Sequence, residues 1–331
     1  MDYVYLGRTG VKVSSLCFGT MSFGGIADES TSRKMFDRCR DAGINFFDCA
    51  NVYERGRSEE LLGKFIADCR DEVFITSKVF FPTGKDVNAR GASRYHIMQE
   101  VEHSLRRLNT DRIDLYFIHH FDAGTPIEET LRALNDLVQE GKVLYLGASN
   151  FAAWQVAKAL GISKQMGWSR FECIQPMYNL VKRQVEVELL PMAQSEEVGV
   201  ISYSPLAGGI LTGKYSSKQD KPKEGRLLTN KMYQLRYGDE AIQEMADSFT
   251  DFAADHGFDP VSLAIAWVQA HPSITAPIIG ARNLQQLEPS INAIEIPMTH
   301  DLWQNISLLS PEPAPATDRN EERKDYDYGK R

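Results

Sequence analysis

The feature that most constrains the fold is a repeating cycle. Eight short apolar runs, at 16–20, 44–48, 72–78, 112–118, 143–147, 171–174, 198–202 and 275–279, each stop abruptly at polar or glycine-containing sequence. Runs this short, flanked by Gly, Asn or Asp, read as buried strands rather than helices. Between them, 29–42, 58–69, 93–108, 127–139, 152–160 and 185–197 carry apolar residues at helical spacing, the last despite Pro191. Over most of the chain the cycle repeats roughly every 30 residues, the size of one βα unit. Alternating strands and helices imply a parallel α/β sheet, and eight such units imply a closed (β/α)8 TIM barrel. An open doubly wound sheet is the competing architecture, but it usually carries GxGxxG after its first strand, and the sequence has no such motif there.

Three segments lie outside the cycle. Tyr3-Val4-Tyr5-Leu6 and Val11-Lys12-Val13-Ser14, joined through Gly7-Arg8-Thr9-Gly10, form an expected N-terminal β-hairpin. Residues 205–238 read as a long loop, glycine-rich and basic, including Lys221 to Arg226; loops of that length are usually functional or mobile. Extra helices are expected around the last strand. The barrel is expected to be one domain over 1–310, followed by a proline-rich and then charged tail, 311–331, poorly ordered or lying over the strand ends.

In such a barrel the C-terminal strand ends form the active-site face. Here those ends carry Thr20, Asp48, Lys78, His119, Ser149, Asn150, Gln175, Tyr203, Ser204 and Arg282. Asp48 closes an apolar strand, and charge at the rim of a core is costly unless it is paired or used. Tyr53 follows five residues later in a turn. A carboxylate, an ammonium and a phenol that converge would tune one another: aspartate holds lysine charged, and lysine lowers the phenol's pKa from about 10. Such a phenol is a general acid for a carbonyl oxygen, with His119 beside it to orient that oxygen. No Ser-His-Asp pattern or GxSxG elbow is visible, so the set points to proton transfer coupled to another source of electrons. Taken singly, Lys78 also reads as a solvated rim charge and Tyr53 as a packing residue.

Composition narrows the alternatives. A net charge of -8 argues against nucleic acid as a main partner. Five scattered cysteines without CxxC spacing fit reduced thiols in a cytoplasmic protein. No basic-then-apolar leader opens the sequence, and no run approaches the roughly 18 apolar residues of a membrane span. A metal-dependent hydrolase could use His119, His120, Asp48 and Asp122, but the chain has neither a paired HxH on a strand nor a helical HExxH; no metal site is expected.

The sequence resembles the aldo-keto reductases, from Leu16-Cys17-Phe18-Gly19-Thr20-Met21 to Ile279-Gly280-Ala281-Arg282. The family's Asp-x4-Tyr pair matches Asp48 and Tyr53, its lysine Lys78 in Ile75-Thr76-Ser77-Lys78, and its histidine His119 after Asp114-Leu115-Tyr116-Phe117-Ile118. The run from Gly141 to Phe151 resembles the family's GKVRxxGxSN segment, and the run from Tyr203 to Tyr215 is similarly close. The resemblance implies NADP(H) bound in extended form and reversible reduction of aldehydes or ketones, with Asp48, Tyr53, Lys78 and His119 as the catalytic set and Tyr53 the proton donor. It implies that Ser149, Asn150 and Gln175 hold the carboxamide, Tyr203 stacks on the nicotinamide, and Ser204, Pro205, Leu206, Gly208 and Lys214 wrap the diphosphate. Gly19, Thr20, Met21 and Asp48 belong to the same cofactor set, with Arg226 folding over it and Gly280, Arg282 and Gln286 at the adenosine end. A guanidinium reads phosphate in a bidentate way, so Arg282 favours NADP over NAD.

Ser290 stands where many relatives have asparagine near the adenine, and His120 where arginine is common. Met21, Phe23, Phe80 and Phe81 either line an apolar substrate pocket or belong to the core. The rival reading is an NADP-binding regulatory subunit of a potassium channel with little turnover.

Overall fold

The computed structural model describes residues 1–216 and 225–319. Of the segments singled out above, 217–224 in the basic loop, Lys221 among them, and 320–331 in the tail lie outside the described residues.

The chain opens with β1 (Tyr3–Tyr5) and β2 (Lys12–Ser14), an antiparallel hairpin. Then come β3 (Cys17–Gly19), α1 (Glu29–Asp41), β4 (Phe46–Asp48), α2 (Arg57–Ile66), β5 (Phe74–Val79), α3 (Arg94–Leu108), β6 (Ile113–Ile118), α4 (Ile127–Gln139) and β7 (Val143–Ser149). They are followed by α5 (Ala153–Met166), β8 (Phe171–Gln175), α6 (Leu189–Ser195) and β9 (Gly199–Ser202). Two short helices, α7 (Arg226–Thr229) and α8 (Lys231–Tyr237), lead to α9 (Glu240–Asp255), α10 (Pro260–Gln269) and β10 (Ala276–Ile279). Last come α11 (Leu284–Ile291) and α12 (His300–Ser307). Strands β3 to β10 pair in parallel, in sequence order, and β10 returns to β3 to close the barrel. This is the (β/α)8 barrel with the hairpin and additional C-terminal helices.

The alternation along each strand sorts side chains into two cores. Phe46 and Phe74 point into the barrel with Cys17, Leu115, Phe117 and Ile201. Phe47 and Ile75 point outward into the larger layer between strands and helices. The hairpin plugs the N-terminal end, where Leu6 and Val13 join the interior cluster. Gly7 makes that approach possible: at φ +55 it sits so close to β9 that a Cβ would lie 2.6 Å from the Gly199 backbone nitrogen.

Three element expectations change. The helix expected at 185–197 shortens to α6, preceded by a single 3-10 turn at Gln184–Glu186; Pro191 stands in its first turn, where no intrahelical N–H is lost. The helix at 152–160 continues to Met166 and stops at Gly167 in the left-handed conformation. The stretch 205–238 is not a plain loop: it contains a 3-10 segment, Ala207–Thr212, and the helices α7 and α8, whose aromatic residues Tyr233 and Tyr237 are buried. Among the described residues no helix is long and apolar enough to cross a membrane.

Candidate active site

The polar ends of β4, β5, β6 and their loops converge at the mouth of the barrel. Lys78 on β5 is fully buried and its Nζ donates to Asp48 Oδ2 at 2.7 Å, to the Cys49 carbonyl at 2.8 Å and to Tyr53 Oη at 3.2 Å. Asp48 Oδ1 accepts from Thr76 Oγ1 and from Gln175 Nε2, each at 2.8 Å. Both oxygens of the carboxylate are therefore met by donors, two on Oδ1 and the Lys78 ammonium on Oδ2, which is what a buried charge requires. The Lys78 ammonium also lies 4.9 Å from the centre of the Tyr53 ring, and the His119 ring stands edge-on to that ring at 6.1 Å.

Burial opposes the Lys78 charge, but the Asp48 carboxylate and the Tyr53 oxygen more than offset it, so its pKa is raised. For Tyr53 the balance is opposite to the sequence-based expectation. Desolvation dominates, the attraction of Lys78 only partly counters it, and the phenol is pushed up to about 12. Tyr53 thus keeps its proton across the neutral range. Burial, then Lys78 and His120, drive the His119 pKa well below its ordinary value, so the ring is neutral. Among the described residues its buried Nδ1 has no hydrogen-bond partner.

Tyr53 reaches this position through an unusual turn. Glu54 and Arg55 both have positive φ, 46° and 56°, and Gly56 follows at 92°. Non-glycine residues in the left-handed region are strained and persist only where their surroundings hold them.

A cavity of about 880 Å³ opens over these groups. Asp48, Tyr53 and His119 line it, while Lys78 lies behind them, sealed from it. Gly19, Met21, Ser149, Asn150, Gln175 and Tyr203 also line it, as do Ser204, Pro205, Leu206 and Gly208. Its far end is lined by Lys214, Arg226, Gly280, Arg282 and Gln286. Thr20 alone of the strand-end set, apart from Lys78, is not on the wall. It is fully buried, its hydroxyl donates to the Asp48 carbonyl at 3.0 Å and pairs with Ser58 Oγ at 2.9 Å, so it ties β3, β4 and α2 together. Phe23 is likewise core, whereas Met21 and Phe81 reach the cavity and Phe80 packs half-buried against Phe81 and His120. Ser290 is fully buried and not on the wall.

The wall polar groups are linked to one another. Tyr203 Oη donates to Asn150 Oδ1 at 2.8 Å, Asn150 Nδ2 donates to the His119 carbonyl at 2.9 Å, and Ser149 Oγ donates to the Gln175 carbonyl at 2.9 Å. At the far end the charge is one-sided. Lys214, Arg226, Arg236 and Arg282 line the cavity, and Asp48, the one carboxylate lining it among the described residues, is already paired with Lys78. Burial, then the charges of Arg282 and Arg226, lower the Lys214 pKa. Clustered cations without acids are an electrostatic cost that an anion would relieve. Arg236 and Tyr233 were not anticipated from sequence; they sit three apart on α8, and that spacing in Lys-Met-Tyr-Gln-Leu-Arg-Tyr is the one signal that marks them as sharing a helix face.

The chain belongs to the aldo-keto reductase family, whose model, described as the Aldo/keto reductase family, matches residues 15–310. It is 38% identical to an uncharacterized oxidoreductase, YrpG, of Bacillus subtilis, over 96% of this chain and 98% of that protein. It is 35% identical to a probable voltage-gated potassium channel subunit beta of Oryza sativa, over 94% of each chain. It is 31% identical to versiconal hemiacetal acetate reductase of Aspergillus parasiticus, over 90% of this chain and 94% of that one. Family membership and these relatives make it an oxidoreductase of the kind that uses a nicotinamide cofactor on small-molecule carbonyls or alcohols.

Proposed function

We propose that the protein reversibly reduces aldehydes or ketones to alcohols with NADPH, Tyr53 giving the proton. The observation that carries this reading is the Asp48–Lys78–Tyr53 chain of hydrogen bonds, buried at one end and open to the cavity at the other. The residues fit the cofactor. The cationic end of the cavity matches a diphosphate and a 2′-phosphate, and Gly208, at φ +70, lets the chain turn tightly where a Cβ would strike Tyr233 at 2.7 Å. On this reading Arg282, with Gln286 bonded to its backbone N–H at 3.3 Å, meets the adenosine end, while Tyr203 offers its ring to the nicotinamide. Asn150, Ser149 and Gln175 orient the carboxamide. When bound, the cofactor supplies the hydride that reaches the carbonyl carbon.

The rest is done by the chain. Tyr53, protonated at neutral pH, donates its hydroxyl proton to the carbonyl oxygen as negative charge builds there. The phenolate left behind is stabilised by the Lys78 ammonium at hydrogen-bond distance, and Asp48 keeps that ammonium in place. Neutral His119 orients the oxygen without competing as an acid. Phe81, Met21 and Val52 offer an apolar surface to the rest of the substrate. Scattered free cysteines, four of them buried, support a reducing, cytoplasmic setting.

The test is a panel of aldehydes and ketones with NADPH, run on the natural protein and on Tyr53→Phe. Removing the proton donor is expected to lower kcat by about 10²–10⁴ while the affinity for NADPH is kept. Full turnover in Tyr53→Phe would overturn the assignment. The potassium-channel names among the relatives favour a second reading, an NADP-binding regulatory subunit. That reading gains if NADPH binds tightly and no carbonyl is turned over.

A further inference from the structure

Behind the catalytic face, on the side away from the cavity, lies a second group of buried charges that the mechanism does not use. Glu59 on α2 is fully buried; its Oε1 accepts from Ser77 Oγ at 2.5 Å and its Oε2 from Arg107 Nε at 2.6 Å. Ser77 stands on β5 between Thr76 and Lys78, the two residues of that strand that hold Asp48. Glu100 on α3, nearly as buried, accepts from Asn51 Nδ2 at 2.7 Å and from Thr83 Oγ1 at 3.3 Å, and its Oε1 pairs with His103 Nδ1 at 2.9 Å. Its other oxygen lies 3.9 Å from Arg107.

Two of these side chains reach the strained turn: Glu100 through Asn51, and Arg107 at Gly56. The Asn51 backbone N–H donates to the Lys78 carbonyl at 3.3 Å, so one residue touches the strand of the lysine, the α3 carboxylate and, two positions on, the tyrosine. The Arg107 side chain lies flat on Gly56: a Cβ there would come within 2.7 Å of Arg107 Cδ. The Glu54 side chain rests on Gly25, where a Cβ would lie 2.3 Å from Glu54 Cδ. Of the three successive positive-φ residues, Gly56 is buried beneath Arg107 while Glu54 and Arg55 are exposed, and burying several charges in this layer is a poor way to gain stability alone.

We propose that Asn51, Glu100, Arg107 and Glu59 are positioning residues for Tyr53: they clamp the 51–56 turn at its two ends, Asn51 and Gly56, and so fix the phenol beside Lys78. The inference rests on the reductase reading for its kinetic consequence and on geometry alone for the clamp. A phenol displaced by about 1 Å loses up to 10²-fold in rate, because proton transfer depends on distance and alignment. None of the four touches the cavity wall, so cofactor and substrate binding stay as they are.

The experiment uses the full chain with Asn51→Ala, Arg107→Met and the conservative Arg107→Lys. Arg107→Met leaves Glu59 without its guanidinium and risks misfolding; Asn51→Ala removes one hydrogen bond and keeps the proposal testable. Expected for Asn51→Ala is a fall in kcat of about tenfold or more with KM and the NADPH dissociation constant unchanged within about twofold. The solvent deuterium effect on kcat rises, because proton transfer becomes more limiting, and Arg107→Lys recovers part of the rate. Independently of turnover, amide hydrogen exchange across 50–57 rises selectively in Asn51→Ala. Unchanged kcat with a lowered melting temperature, or unchanged exchange across 50–57, overturns the clamp. Loss of turnover in the natural protein itself refutes the reductase reading instead, and the exchange measurement still decides the clamp.

Discussion

Replacing Lys78 by methionine tests whether the buried ion pair is an energetic debt held for catalysis. The side chains of Lys78 and Asp48 are 0% and 3% exposed. Lys78→Met preserves volume and removes three hydrogen bonds: to Asp48 Oδ2, to the Cys49 carbonyl and to Tyr53 Oη. Asp48 Oδ1 keeps Thr76 and Gln175, but Oδ2 is left as an unpaired buried charge. Breaking one partner of a buried pair costs about 3–5 kcal/mol, against a total stability of about 5–15 kcal/mol. Removing the carboxylate charge as well, in Asp48→Asn/Lys78→Met, leaves a neutral amide in place of the charge. The double variant should therefore be more stable than the two singles predict by about 2 kcal/mol or more. Urea unfolding followed by tryptophan fluorescence measures all four proteins, with an unchanged slope confirming that the same surface is exposed. If Lys78→Met costs less than about 1 kcal/mol, or if the singles add to the double within about 0.5 kcal/mol, the pair is not coupled and the reasoning fails.

The pH dependence follows from the two shifts at the site. Because the Tyr53 phenol is pushed up to about 12 and His119 is held neutral, kcat for reduction in the protein as it stands should be flat between about pH 6 and about pH 9; a limb centred near the ordinary histidine value would contradict it. The stability signs are opposite for the two groups: the depressed His119 costs stability as pH falls below about 6.5, and the raised Tyr53 costs stability as pH climbs from about 10 towards 12. Arg282→Ala should lower the preference for NADPH over NADH by about tenfold or more in kcat/KM; an unchanged ratio would remove Arg282 from the 2′-phosphate. Gly7→Ala should destabilise the fold by about 1–3 kcal/mol in urea, since its φ is positive and its Cβ would strike the β9 backbone, with kcat per folded molecule unchanged; a neutral effect would mean the hairpin plug yields freely.

Much of this molecule is readable from local pattern. Short apolar runs that end on polar residues locate the strands, and a barrel turns strand order into spatial order, so Asp48, Lys78 and His119 had to fall on one rim. Tyr53 could be attached to them because five residues of chain cannot carry it far. Side-chain direction at the rim was less accessible. Thr20 follows the last residue of β3 and looked like another wall residue, but the strand's close turns its hydroxyl back to Asp48 and Ser58. Phe23 and Phe81 are both phenylalanines near strand ends; one is core and the other faces the cavity.

What the sequence by itself determined, then, was the architecture and the chemical identity of the groups at its polar end, because periodicity and strand order are local properties that survive summation over the chain. The tertiary structure decided their state. Tyr53 keeps its proton because desolvation from the surrounding fold outweighs one neighbouring ammonium, and no spacing rule contains that balance. Arg236 and Tyr233 join the cavity because α8 folds back over it, and Asn51, Glu100, Arg107 and Glu59 meet behind it from three separate elements. Electrostatic energy and strain depend on distances between residues far apart in sequence, and only the closed barrel sets those distances.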